Sequence, residues 1–234
     1  EMAAQAMTTA QLTVSPHDRS GFAHVGMTGG IGAYKNDGTL KDGAKVIYVW
    51  ADNAKTVTTD VVTNSKGTKT TGTGLQNIIY LYQKGYDTTP LDIRIIGTVK
   101  KEDCDDLHSS AEGLQIKGSS DYMDLPLTIE GIGNDATISG FGMLLRKVKD
   151  VELRNFAIIL CLDDCLSLDT KNSNIWIHNI DFFYGNTGGD ADQAKGDGTV
   201  DIKAASKNVT LSYCHFYDCG KSSLGGMSNE VTSA

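Results

Sequence analysis

Two carboxylates four residues apart, Asp197 and Asp201, lie in the run GDADQAKGDGTVDIK (Gly189–Lys203), and a lysine, Lys221, follows in GKSSL. Paired acidic side chains are ligands for a hard cation, which prefers oxygen, whereas a lysine ammonium holds an anion. Together they suit a carboxylate-bearing polymer bound through a metal. A second acidic pair, Asp163 and Asp164, stands in CLDDC. Adjacent carboxylates of this kind also suit acid and base work, and each of these residues has a plainer reading as a solvated turn carboxylate or a surface lysine.

Positioning such groups requires a rigid frame, and the composition indicates which. The 234 residues include 26 glycines and 3 prolines, with many Thr, Asn and Asp, a pattern of tight turns between short strands. A net charge of -8 is at odds with a nucleic-acid partner, which calls for clustered Lys and Arg. No stretch approaches the roughly 18 consecutive apolar residues of a membrane span, and the first residues lack the pattern of a secretory signal. The five cysteines, Cys104, Cys161, Cys165, Cys214 and Cys219, follow no zinc-ligand spacing and read as core thiols, with one or two disulfides as the alternative.

Three segments share one template: KDVELRNFAI from Lys149, SNIWIHNIDF from Ser173 and KNVTLSYCHF from Lys207, at intervals of 24 and 34 residues. Each opens with Asp or Asn (Asp150, Asn174, Asn208). Alternating β-formers follow (Val151/Leu153, Ile175/Ile177, Val209/Leu211), then a later apolar residue (Ile158, Phe182, Phe216). The intervals fit stacked solenoid coils, the longer one containing a Gly- and Asp-rich insertion over residues 185–198. Weaker copies lie upstream in Leu91–Val99, Pro126–Gly133 and Ala136–Lys147. Asn155 and Asn179 recur at equivalent bends, where side-chain hydrogen bonds can link coils. Residues 51–74 read as a surface hairpin or loop. Leu75–Lys84 reads as a helix with Gly85 as its stop, capping the first coil. The expected fold is therefore all-β, a parallel β-helix with a short capping helix; residues 1–20 form an N-terminal extension and 21–234 the β-helix domain.

Several ordered motifs carry a family resemblance: GFAHVGMTGGIGA from Gly21, IIGTV, IEGIG, DDCLSLD, SNIWIHNIDF, DGTVDIK and GKSSL. In these the chain resembles the bacterial pectate lyases of the extracellular pectate lyase/pectin lyase superfamily, from about Gly21 to its last residues. The resemblance implies a right-handed parallel β-helix, calcium-dependent β-elimination of polygalacturonate, and secretion with a leader removed. It places the calcium carboxylates on Asp164, Asp197 and Asp201, the first after a one-residue shift, and the substrate-binding lysine on Lys221. Asp192 and Lys195 are expected to line the substrate groove, and Tyr184 to stack on sugar. His178 and His215 read as satisfied or outward imidazoles rather than ligands, and Trp176 with Phe182 and Phe183 mainly as packing residues.

The chain departs from the family pattern in one respect. The family's base is an arginine on a coil after the lysine, whereas the last arginine here is Arg154. The expectation is a form lacking its C-terminal coils, whose bare last coil invites end-to-end self-association. Two alternatives stand beside the lyase: a pectate-binding β-helix without catalysis, and a β-helical glycoside hydrolase using Asp163 and Asp164.

Overall fold

A computed structural model describes residues 19–107, 113–184 and 197–226. The strands are, in chain order, β1 (Lys45–Val49), β2 (Thr58–Val62), β3 (Lys69–Thr73), β4 (Leu91–Lys100), β5 (Leu114–Lys117), β6 (Met123–Ser139) and β7 (Met143–Arg146). They continue as β8 (Val148–Ile159), β9 (Leu166–Thr170), β10 (Ser173–Phe183), β11 (Gly198–Ile202), β12 (Lys207–Ser212), β13 (His215–Tyr217) and β14 (Lys221–Gly225). One helix, α1 (Leu75–Tyr82), lies between β3 and β4. One sheet runs β1-β4-β6-β8-β10-β12, with β13 also on β10; a second runs β14-β11-β9-β7-β5. Pairing within both sheets is parallel, and successive turns of chain alternate between them, which makes a parallel β-helix. Among the named strands of the described residues only β2 and β3 pair antiparallel, as a hairpin in the Thr-rich stretch, and a single antiparallel bridge joins Tyr34 and Leu40.

The template residues stack in register. Val151, Ile175 and Val209 form one column, Leu153, Ile177 and Leu211 a second, and Ile158, Phe182 and Phe216 a third. These point into the core, where burial of branched side chains supplies the main stabilisation. The coil turns at two corners with left-handed backbone. Asp150, Asn174 and Asn208 occupy one, at φ 68°, 53° and 53°, and Asn155 and Asn179 the other, at 60° and 52°. Asn and Asp tolerate this region better than other non-glycine residues, which is why they punctuate the repeat. Asn155 Nδ2 donates to the Gly131 carbonyl of the coil before it at 2.7 Å, whereas Asn179 Oδ1 lies 2.7 Å from His178 Nδ1.

Helix α1 closes the β5 edge of the second sheet with side-chain amides in place of a further strand. Gln76 Nε2 donates to the Gln115 carbonyl at 3.0 Å, Gln76 Oε1 accepts from Gln115 N at 2.8 Å, and Gln83 Oε1 accepts from Lys117 N at 2.6 Å. Gln76 is buried, so Gln76→Leu leaves two buried backbone groups of Gln115 unpaired. A loss of about 2–4 kcal/mol is expected, readable as a lowered thermal midpoint; an unchanged midpoint would show that the amide pairing contributes little.

The segment from Arg19 to Tyr34 forms no coil. It lies across the outer face of the first sheet, tied to four successive strands: Ala33 N donates to Thr128 Oγ1, Gly32 N to Asp150 Oδ1, Asn174 Nδ2 to the Ala23 and Val25 carbonyls, and Ala23 N to Thr210 Oγ1. Beneath it the outward columns are charged, with Arg94, Glu130, Arg154 and His178 in register. Arg19 clasps both oxygens of Glu152 at 3.0 and 3.1 Å, His178 Nε2 reaches the same carboxylate at 2.9 Å, and Arg154 Nη2 pairs with Glu130 at 2.6 Å. Burial alone would raise the Glu152 carboxyl, yet Arg154, the His178 hydrogen bond and Arg19 outweigh it and hold it at about 2. No helix among the described residues is long and apolar enough to cross a membrane.

Candidate metal and carboxylate site

The acidic residues gather at the second sheet. Asp164 ends the loop before β9, Asp197 precedes β11, and Asp201 lies within β11 in register with Ser167 of β9 and Leu224 of β14. Two glycines make the approach possible. A Cβ on Gly198 would fall 2.0 Å from Asp201 Oδ1, so the carboxylate folds back over a bare backbone. A Cβ on Gly142 would meet the Asp164 carbonyl at 2.4 Å, so the coil before gives way to the Asp163–Asp164 loop.

Asp163, Asp164 and Asp197 each offer an oxygen, all lying within 4.8 Å of one another. Asp201 joins this group through Lys203, whose Nζ is 2.9 Å from Asp164 Oδ2 and 3.1 Å from Asp201 Oδ2. Lys221 Nζ lies 3.0 Å from Asp197 Oδ1. Lys221 is exposed, while Lys203 is largely covered. Asp192 and Lys195 lie outside the described residues.

Electrostatics leave the site short of positive charge, with four carboxylates around two ammonium groups. Burial, then repulsion from Asp164, raises the Asp163 carboxyl; the same two causes raise that of Asp201, against the pull of Lys203. Burial works to lower the Lys203 ammonium, but hydrogen bonds to Asp164 and Asp201 prevail and raise it. The Oδ1 atoms of Asp164 and Asp201 are buried and accept no hydrogen bond from the protein. Among the described residues the carboxylates that converge closely enough to share a cation are Asp163, Asp164 and Asp197, so Asp163 stands where the resemblance places Asp201; the orphaned Asp164 and Asp201 oxygens are hard donors of the kind a divalent cation such as calcium takes.

Some expectations need correcting. Tyr184 is fully buried and cannot stack on a sugar; its hydroxyl donates to the Asp163 carbonyl and accepts from Asp197 N at 3.4 Å, joining the two acidic segments. Trp176 is also buried, with its ring stacked on His178 at 3.7 Å and the Arg19 guanidinium 4.8 Å from its centroid. His178 is the satisfied imidazole the strand position suggested. All five cysteines are free thiols, three buried and two partly so. Lys203 is a site residue that the sequence motifs do not mark. Its signal is its place two residues after Asp201, just past the end of β11, which keeps both side chains on one face.

A parallel β-helix that gathers carboxylates and lysines on one sheet is a solenoid with a charged site, and comparison with known proteins narrows its class. The family model described as pectate lyase matches residues 2–234, and the chain belongs to that family. Pectate lyase A of Emericella nidulans is 34% identical over 105 residues, covering 44% of this chain and 31% of its own length. A pectate trisaccharide-lyase of Bacillus licheniformis is 27% identical over 165 residues, covering 69% of this chain and 44% of its own. Among solved structures, a Bacillus pectate lyase in complex with trigalacturonate superposes with a TM-score of 0.57 at 19% identity, over 92% of this chain and 57% of that one. A thermostable pectate lyase gives 0.58 at 17% identity, over 94% and 62%. The matched stretches thus span less than half of these curated relatives, and the structural likeness supports the parallel β-helix.

Proposed function

We propose that the chain is a calcium-dependent pectate lyase, or the calcium-binding part of one, acting on de-esterified polygalacturonate outside the cell. The observation that carries this reading is the acidic cluster with orphaned Asp164 and Asp201 oxygens in a chain of the pectate lyase family. In β-elimination a base takes the C5 proton of a uronate, the electron pair left at C5 forms a C4–C5 double bond, and the C4–O4 bond breaks with its pair on O4, which takes up a proton. A bound calcium ion supplies positive charge at the uronate carboxylate, which acidifies that proton. Lys221, half-exposed beside Asp197, is placed to hold the substrate carboxylate and to offset charge that builds there as the proton departs. Lys203 keeps Asp164 and Asp201 together without being displaced to solvent.

The proton acceptor is not one of the four arginines in this reading. Arg19 is held by Glu152, Arg94 by Asp92 and Glu130, Arg154 by Glu130 and Glu152, and Arg146 by Asp169. A paired-carboxylate hydrolase is less favoured, because Asp163 and Asp164 converge with Asp197 on one point instead of flanking a gap for the scissile bond.

The test is ultraviolet absorbance of polygalacturonate incubated with the chain, with calcium or with a chelator. A calcium-dependent rise from the unsaturated product is expected of a lyase. Calcium-dependent binding with a flat trace would instead make the chain a pectate-binding module. Asp201→Ala should weaken calcium binding, followed by calorimetry, on the order of a hundredfold by removing one charged ligand, whereas Lys221→Ala should weaken substrate binding and largely spare calcium. Wild-type calcium affinity in the aspartate variant would reject the metal site.

A further inference from the structure

The corner between the second sheet and the first carries residues other than Asp and Asn at its left-handed positions: Lys147 at φ 61°, Lys171 at 49°, Ala204 and Ala205 at 37° and 61° and, in the wider turn before β6, Tyr122 at 55°; Leu160 and Tyr213 do the same at other bends. Such residues give up roughly 1–2 kcal/mol each against a residue suited to that backbone. Unlike Ala204 and Ala205, Lys147, Lys171 and Tyr122 have side chains that reach one shared edge of the surface, where they can be used.

Their arrangement indicates for what. Lys147 and Lys171 are on successive coils, as the Lys147 N bond to the Thr170 carbonyl and the Lys171 N bond to the Ala204 carbonyl show. Both ammonium groups converge on one carboxylate, that of Asp121, at 3.2 and 2.6 Å, and the side chains of all three remain about two-fifths exposed. Tyr122 lies along the same edge, its hydroxyl donating to the Ala205 carbonyl at 2.9 Å and its ring under Lys207 Nζ at 4.7 Å. With the neighbouring Lys149, 3.8 Å from Asp124, the edge has four cations for two carboxylates, in a chain whose net charge is -8, together with an aromatic face.

We propose that Lys147, Lys171 and Tyr122 form a second binding position for a uronate unit of an acidic polysaccharide, apart from the acidic site, with Asp121 occupying the place of the ligand carboxylate until it is displaced. Coils stack about 4.8 Å apart, so neighbouring lysines can share one carboxylate while the tyrosine ring meets the sugar. This position rests on the polygalacturonate reading for its ligand, but it needs no metal.

The test is binding of polygalacturonate to the full chain carrying Lys221→Ala, in chelator, by affinity electrophoresis, which removes both the metal and the substrate-holding lysine of the acidic site. Lys147→Asn with Lys171→Asn suits the left-handed backbone and should leave the melting temperature unchanged or raised, while weakening polymer binding on the order of fivefold. Asp121→Asn should act in the opposite direction and strengthen it. No polymer binding in chelator, or equal binding by parent and both variants, would overturn the proposal. The lyase reading is judged separately by the calcium-dependent absorbance trace: a flat trace with chelator-resistant binding sinks that reading and leaves this position standing.

Discussion

Replacing Lys203 by methionine should lower the stability of the calcium-free protein by roughly 2–4 kcal/mol, and added calcium should restore most of the loss. Lys203 is the one ammonium shared by Asp164 and Asp201, whose side chains are 3% and 4% exposed, so removing it leaves two covered carboxylates facing each other. Each already has an oxygen without a hydrogen bond. Methionine keeps the length and apolar stem of lysine, which confines the change to charge. A divalent cation placed among the same oxygens replaces the missing charge, and because it binds only the folded chain it raises the melting temperature by mass action. Melting curves with calcium and with chelator read both halves. A variant as stable as the parent in chelator would mean that Lys203 is not the counter-charge of the site.

Glu152→Gln is expected to cost about 3–5 kcal/mol, since it leaves Arg19, Arg154 and His178 around a neutral amide in a covered position. The pH dependence gives a more specific readout. The folded carboxyl titrates at about 2 against an ordinary 4.5, so the ionised group contributes stability above pH 4.5 that is lost as the pH falls towards 2. Over that window the contribution is worth about 3 kcal/mol. Asp150 acts in the opposite sense. Burial raises its carboxyl to about 6 against the pull of Lys41 and Gly32 N, so its contribution weakens stability as the pH rises from 3.8 through 6. Unfolding followed by circular dichroism from pH 2 to 7 should show the Glu152→Gln variant with a shallower acid limb. An acid limb as steep as the parent's would show that Glu152 titrates normally.

The coil frame was legible because its determinants are local. Alternating β-formers fix the inward columns, and Asp150, Asn174 and Asn208 mark corners that few other residues tolerate, so overlaying three segments reproduced the strand register. The capping helix was legible from its apolar face and from Gly85, at φ 79°. The charged columns were not. Polar residues alternating along a strand imply an outward face, and nothing in their spacing reveals that Arg19–Tyr34 covers that face and makes ion pairs of its charges. The acidic residues of the site were readable as residue types, but Tyr184 misled, because an aromatic residue at a strand end suits sugar stacking as well as it suits burial. Lys203 went unnoticed because the length of a lysine lets it reach either solvent or the carboxylate two residues away.

The tie between the chain's first described segment and its later coils bears on the order of folding. In a solenoid each coil rests on the one before it, so assembly can follow synthesis, coil by coil. Arg19–Tyr34 cannot take part in that sequence: Ala23 hydrogen-bonds to Thr210, 187 residues further on. This stretch is made before the coils it covers and settles after them: Ala23 and Ile31 lack the pocket beside Trp176 until β10 has formed, and Ala23 lacks its Thr210 partner until β12 has. Closing so long a loop is slow, yet once closed it joins neighbouring coils into a unit that opens together rather than from one end.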